Sequence, residues 1–206
     1  MDTWTSIKNG REAFGDYLAG LSADEWNEPS LCAGWTVKDV VAHMLVIPTI
    51  SKGKVFATFL GSGFNLERMN AKFVQQIGAA MSPSEIAGKT RSSAGSRSIP
   101  PGLKLPGILT ELAIHAGDIS EAVGRPFSLP SADYVAVLEH IKNVQPVFGS
   151  KQRIAGLTVR ATDANWSTGS GPVVEGTAQH LALAVAGRRA AFDHLSGDGL
   201  ATLRTR

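Results

Sequence analysis

The chain has 206 residues, which is enough for one large domain or two small ones with a buried core. Hydrophobic residues make up 43% and charged residues 18%, so the composition excludes a disordered, collagen-like or coiled-coil chain. Lysine and arginine number 20 against 18 acidic residues, and the net charge of +2 indicates no strong attraction to nucleic acid.

The first ten residues, MDTWTSIKNG, lack the basic and apolar regions of a secretory signal, and the single Cys32 cannot form an intrachain disulfide. The most apolar stretch, VVAHMLVIPTI, contains His43 and Pro48 and is shorter than the roughly 20 apolar residues of a membrane span. We therefore expect a cytoplasmic protein without a membrane anchor.

Helical periodicity dominates the first 125 residues. Apolar residues at three- and four-residue steps predict a first helix over residues 3–21. Thr36 and Asp39 form the pattern of a capping box, which predicts a second helix that Pro48 kinks or ends. A third helix is predicted over residues 66–77, after the break at GSG (61–63), with MSPSE ending it.

The segment 88–104 carries four basic and no acidic residues and is rich in Gly, Ser and Pro, which predicts a long loop. The simplest interpretation of this loop is a solvated linker, and the alternative is a charged edge of a pocket. A fourth helix is predicted from Pro106 to Gly124, where Gly followed by Pro126 is a typical helix end. Four helices by residue 125 indicate an antiparallel bundle.

The remaining residues predict a small α/β unit. A helix is expected over 131–147, and GLTVRATD (156–163) alternates as a half-buried strand does. TGSGP turns the chain, so that VVEG can pair back as a second strand, and Thr177 caps a further helix. SGDG (196–199) is predicted to be a turn before a short final strand. We expect two domains, residues 1–126 and 127–206.

Three polar residues occupy otherwise apolar helical segments: His43, Glu111 and His115. Burying an ionised carboxylate without a partner is prohibitively costly, so Glu111 must be paired, protonated or bound to a cation. Ligands at i and i+4 of one helix, with a third from a facing helix, build metal sites inside helical bundles. Two imidazoles and a carboxylate suit zinc, and they leave a fourth position for water or substrate.

A simpler interpretation stays open at this stage: Glu111 and His115 form an intrahelical pair, and His43 is a core histidine. Asp118 and Asp39 are candidates for orienting the metal-bound imidazoles, although the capping box is a sufficient explanation of Asp39.

Several other reactive residues lack a matching pattern. Cys32 is interpreted as a small buried hydrophobe rather than a nucleophile or a fourth ligand. Three further histidines have no partner at helical spacing and are interpreted as surface or interdomain residues: His140, His180 and His194. Arg188 and Arg189 follow the last predicted helix, where they favour its dipole or hold a carboxylate in a pocket.

The segments LSADEWNEPSLCAGWTVKDVVAHM, ELAIHAGDISEAVG and TDANWSTGSGPVVEGTAQHLALAVAGRRAAFDHLSGDG together resemble the mycothiol-dependent maleylpyruvate isomerase family of the DinB-like superfamily. The resemblance implies an α+β fold: a DinB-like four-helix bundle followed by a small α/β domain similar to sterol-carrier proteins. It implies that His43, Glu111 and His115 bind zinc. It also implies that Arg188, or its neighbour Arg189, handles the thiol cofactor or the substrate.

The function implied is that of a zinc-dependent enzyme, a monomer or homodimer, in which mycothiol acts on a small electrophilic or acidic substrate. The thiolate would add to a conjugated double bond, permit rotation and leave, or it would transfer to an electrophile. Two alternatives remain: a hydrolase that uses zinc-bound water, and a non-catalytic metal-bearing module that binds small ligands.

Overall fold

A computed structural model describes residues 2–100, 102–144 and 149–206 of the chain. The N-terminal part is a bundle of helices, and the C-terminal part combines helices with a small sheet. The helices of the bundle are α1 (Thr3–Ala19), α2 (Ala23–Asn27), α3 (Val37–Met44), α4 (Val46–Thr49), α5 (Lys52–Leu60), α6 (Leu66–Ala80), α7 (Pro83–Ser92) and α8 (Leu105–Val123).

The ends of the bundle helices follow the local signals in the sequence. Thr36 and Asp39 form the predicted capping box, in which Thr36 Oγ1 accepts from the Asp39 N–H and Asp39 accepts from the Thr36 N–H. Helix α8 ends at Gly124, which adopts the left-handed conformation with φ of 63°. Pro48 lies within the short α4, one residue before this helix ends at Thr49. The capping box and the Gly124 stop are therefore confirmed.

The predicted loop over 88–104 is wrong at its start, because helix α7 continues to Ser92. Ser82 and Glu85 form a capping box before this helix, and Pro83 occupies its first turn. Ile86 and Ala87 are buried where α7 packs against α1. The apolar face of α7 is short, and the surrounding sequence is rich in Ser, Gly and Lys. Hydrophobic periodicity alone therefore did not predict this helix.

The helices that pack against each other in the bundle are mostly not consecutive in the chain. Helix α1 packs against α7 and α8, whereas α3 packs against α6 and α8. Helix α8 is thus central, and almost every residue from Gly107 to Ser120 is buried or half-buried. Polar side chains on α8 consequently lie in the interior.

The C-terminal part begins with α9 (Ser131–Ile141) and α10 (Ser150–Arg153). The helix predicted over 131–147 ends at Ile141, and residues 145–148 of that prediction lie outside the described residues. Strands β1 (Thr158–Ala161), β2 (Ser167–Gly169) and β3 (Val173–Gly176) follow. Helix α11 (Ala178–Val185), a 3-10 helix (Arg189–His194) and α12 (Leu200–Arg204) complete the chain.

The sheet corrects two predictions. Its strand order is β2-β1-β3, with β2 antiparallel and β3 parallel to β1, so VVEG (173–176) does not pair back as a hairpin partner. Strand β2 already occupies one edge of β1, which leaves the opposite edge to β3. The final strand is also wrong, because after a single bridge between Glu175 and Ser196 the chain turns at Gly197 and forms α12.

One large hydrophobic cluster runs through both parts of the chain. Helix α8 contacts α9 and α11, and Ile119, Tyr134 and Leu183 are buried in the shared cluster. Gly117 permits this close approach, because a Cβ there would lie 2.6 Å from Cδ2 of Leu183. In the described residues, no helix combines the length and hydropathy that a membrane span needs.

Candidate metal centre

Helices α3 and α8 bring His43, Glu111 and His115 together inside the bundle, although the three lie far apart in sequence. Nε2 of His43 is 4.0 Å from Oε1 of Glu111, and the rings of His43 and His115 are 5.3 Å apart, edge to face. Each side chain is less than one-fifth exposed. The structure thus brings the three predicted residues together, and their role as metal ligands stays a prediction.

Two buried polar atoms in this group lack a hydrogen-bond partner among the described residues: Nδ1 of His43 and Oε1 of Glu111. Burial raises the pKa of Glu111 to about 8, against a smaller opposing effect of Arg11. Burial, and to a lesser extent His115, lowers the pKa of His43 to about 3. Without a cation, therefore, both groups are neutral at pH 7 and incompletely satisfied.

Asp118 lies one turn beyond His115, is fully buried and links two residues of the candidate centre. Its Oδ2 is 3.0 Å from Nδ1 of His115. Arg188 donates to Oδ1 from Nε at 2.8 Å and to Oδ2 from Nη2 at 2.9 Å. Burial would raise the pKa of Asp118, but the hydrogen bonds from Arg188 and His115 hold it well below its usual range. The carboxylate is therefore ionised and orients both partners.

The structure distinguishes Arg188 from Arg189. Arg188 is joined to Asp118, donates from Nη1 to the Ala186 carbonyl at 3.2 Å, and lines the pocket beside His115. Arg189 instead donates to the Arg204 carbonyl on the exposed surface. Arg188 is thus the arginine that faces the pocket.

Cys32 is a neighbour that sequence reasoning did not place here. Its Sγ donates to Oδ2 of Asp118 at 3.1 Å and lies 3.6 Å from Nδ1 of His115. Burial, together with the negative charge of Asp118, raises the pKa of Cys32 to about 12. The thiol is therefore protonated at pH 7 and a poor nucleophile.

Two cavities adjoin the cluster. One of about 380 Å³ lies along α8 and is lined by residues that include Glu111, His115, His140 and Arg188. The other, of about 170 Å³, is mostly apolar and is lined by His43, Glu111 and residues of α4, α5 and α6. Glu111 thus borders two cavities from which a small molecule can reach it, one shared with His115 and Arg188 and one shared with His43.

The other predicted positions have different roles. Asp39 serves the capping box of α3, as its simplest interpretation proposed. His180 and His194 stack on each other and contact Glu121, a residue that sequence reasoning did not single out. Nothing in the spacing of these three residues signals their contact, because they come from α11, the 3-10 helix and the end of α8.

The fold and this cluster define a class of protein: a helical bundle with an interior histidine–carboxylate group, joined to a small C-terminal α/β part. Residues 7–91 match the family described as "Mycothiol maleylpyruvate isomerase N-terminal domain". This match covers the N-terminal part of the chain, and the family is the one that the sequence segments resemble.

The structural comparison covers more of the chain. The "Crystal structure of the mycothiol-dependent maleylpyruvate isomerase" has a TM-score of 0.63 and 19% identity, over 95% of this chain and 91% of that one. A histidine-to-alanine mutant of that isomerase has a TM-score of 0.61 and 16% identity over the same shares. These similarities confirm the fold, a helical bundle plus a small α/β part. No curated protein matches the sequence.

Proposed function

We propose that the protein is a zinc-dependent enzyme that uses mycothiol, and that it catalyses cis-trans isomerisation of a maleylpyruvate-like substrate. The observation that carries the proposal is the pair of unsatisfied buried atoms, His43 Nδ1 and Glu111 Oε1, beside His115. The match of residues 7–91 to a family named for the mycothiol isomerase supports the choice of cofactor.

Glu111, His43 and His115 fit a divalent cation. A neutral buried carboxyl that faces neutral imidazoles costs folding energy, and one cation satisfies all three groups. Nδ1 of His115 is engaged by Asp118, so Nε2 is the nitrogen that remains for the metal. A carboxylate behind a ligating histidine is the usual arrangement in zinc proteins.

A second grouping, Cys32 with His115 and Asp118, has ligand atoms within 4.8 Å of one another. We favour His43, Glu111 and His115, because both oxygens of Asp118 already accept from the Arg188 guanidinium. A metal on Asp118 would compete with that fixed positive charge. The role of Asp118 is then to hold His115 and Arg188 in place.

An external thiol is the natural nucleophile, since the one thiol of the chain is protonated and hydrogen-bonded to Asp118. Zinc held by His43, Glu111 and His115 would lower the pKa of the mycothiol thiol, and this would make a thiolate available for reversible addition to a conjugated double bond.

Arg188 is proposed to bind a substrate carboxylate and to stabilise negative charge that develops on the substrate oxygen. Three of the five N–H groups of a guanidinium are committed here, two to Asp118 and one to the Ala186 carbonyl. The remaining two are available to Cys32 and to an acidic ligand in the pocket. Fixed donors of this kind cost no reorganisation during reaction.

The decisive experiment measures zinc per chain in the purified protein and in His115→Ala, followed by conversion of maleylpyruvate with and without mycothiol. We expect His115→Ala to hold one zinc fewer than the parent and to lose thiol-dependent turnover. His140→Ala, which removes a different pocket histidine, should keep the metal. Unchanged zinc in His115→Ala would overturn the metal proposal.

The products distinguish the remaining possibilities. Mass spectrometry after incubation with mycothiol and a panel of electrophiles separates isomerisation from S-transfer, because only S-transfer leaves the thiol attached to the product. Turnover without any thiol would indicate a zinc-water hydrolase, and absence of turnover across the panel would indicate a binding module. Arg188→Ala should lower turnover and leave zinc bound; loss of zinc would contradict its role.

A further inference from the structure

Glu121, His180 and His194 form a second histidine–carboxylate group, separate from the centre described above. Glu121 lies in the last turn of α8, six residues beyond His115, or about 9 Å farther along the helix axis. His180 comes from the first turn of α11, and His194 ends the 3-10 helix. The group therefore joins the bundle to two elements of the C-terminal part.

The distances in this group are compatible with three ligands of one metal ion. Nε2 of His180 is 3.4 Å from Oε1 of Glu121, and Nε2 of His194 is 3.2 Å from Oε2. Bonds of about 2.0–2.1 Å in tetrahedral geometry place neighbouring ligand atoms about 3.3 Å apart. All three ligand atoms lie within 4.8 Å of one another. Little movement is needed for one ion to contact them all.

The rings of His180 and His194 are oriented so that both can bind one metal ion. They stack in parallel, with centroids 4.1 Å apart and an interplanar angle of 11°, and both present Nε2 to the same carboxylate. Nδ1 of His180 lies 2.8 Å from the hydroxyl of Thr177, which fixes the ring. A proton on Nδ1 can be donated to that hydroxyl, which leaves the Nε2 lone pair for a metal.

The surroundings favour a cation. The group opens into a cavity of about 480 Å³, and Glu121 supplies the one carboxylate in its described lining. A metal held by these three residues would keep a coordination position facing this cavity.

We propose that Glu121, His180 and His194 form a second zinc site that ties the end of helix α8 to the C-terminal part of the chain. This site is independent of the proposed enzyme activity. Two imidazoles and one carboxylate are a donor set that zinc accepts, and the open position is filled by water or an external ligand. Zinc bound here stabilises the folded protein, because the unfolded chain does not hold the three ligands together.

The test is the zinc stoichiometry of five proteins after removal of all metal and equilibrium dialysis against zinc. We expect two ions in the parent, one in His43→Ala, one in His194→Gln and none in the double variant. His140→Ala is the matched control and should hold two. One ion in the parent, with His194→Gln unchanged and His43→Ala empty, would overturn the second site and leave the first intact. One ion in the parent, with His43→Ala unchanged and His194→Gln empty, would overturn the first site and leave the second intact.

A second readout does not depend on activity. In His43→Ala, zinc at about 100 times its dissociation constant should raise Tm by about 5–10 °C, and His194→Gln should abolish that increase. If His43→Ala did not fold, the imidazole nitrogen shifts of His180 and His194 in the parent protein would decide. Zinc should move both Nε2 resonances, and unchanged resonances would overturn the proposal.

Discussion

The cost of burying Glu111 provides the sharpest prediction, because the metal-free protein and the zinc-loaded protein should respond to Glu111→Gln in opposite directions. Glutamine keeps the size and shape of the side chain but cannot ionise. In the metal-free protein the substitution removes the free-energy cost of a buried carboxyl group. In the zinc-loaded protein it removes a metal ligand.

The pH dependence follows from the raised pKa of Glu111, about 8 in the folded protein against 4.5 without perturbation. Between these values the folded chain retains a proton that the unfolded chain has lost, so stability falls as pH rises. The full contribution of this group is present below pH 4.5 and is lost as pH rises through 8. The loss amounts to about 1.4 kcal/mol per pH unit, or about 3 kcal/mol by pH 7.

The assay is thermal unfolding of chelator-treated parent and Glu111→Gln proteins at pH 5, 6 and 7. The variant should gain over the parent as pH rises, with the Tm difference growing by about 3–6 °C per pH unit. Both proteins contain the same histidines, so the contribution of the histidines largely cancels in the difference. Saturating zinc should reverse the order, since the parent gains more from the ion.

Two results would refute this reasoning. A Tm difference that does not change with pH would show that Glu111 is ionised in the metal-free protein. A variant less stable than the parent at every pH would show that Glu111 is an ordinary ion-pair partner, for which Arg11 is a candidate because its charge lowers the pKa of Glu111.

Three further perturbations test individual contacts. Asp118→Asn leaves Arg188 without its buried partner and should destabilise the protein by about 3–5 kcal/mol in chemical denaturation; a loss below 1 kcal/mol would contradict the ion pair. Cys32→Ala should retain thiol-dependent turnover, whereas its loss would give Cys32 a direct role. Gly117→Ala forces a Cβ against Leu183 and should cost about 1–3 kcal/mol, measured by the same denaturation. An unchanged midpoint would mean that this contact relaxes freely.

Local signals predicted the helices well where they were strong. The capping box of Thr36 and Asp39 and the stop at Gly124 act over a few residues, so sequence reveals them. Helix α7 was not predicted because its apolar face is short and the composition of its polar face resembles that of a loop. The parallel pairing of β3 and the final helix α12 depend on which sheet edge is free, and this is decided by packing.

The sequence by itself determined that polar groups must meet inside the bundle. An i, i+4 pair such as Glu111 and His115 on an apolar helix requires a partner, because burial of an unpaired charge is too costly. That argument identified His43, since it is the other polar residue on an apolar helix.

Only the tertiary structure decided which groups surround that centre. Cys32, Asp118 and Arg188 contact one another across separations of 86 and 70 residues, and no periodicity encodes such contacts. The same holds for Glu121 with His180 and His194, which meet because α8, α11 and the 3-10 helix end at one place. Periodicity reports the face of a single helix, whereas a ligand set is assembled by packing between elements.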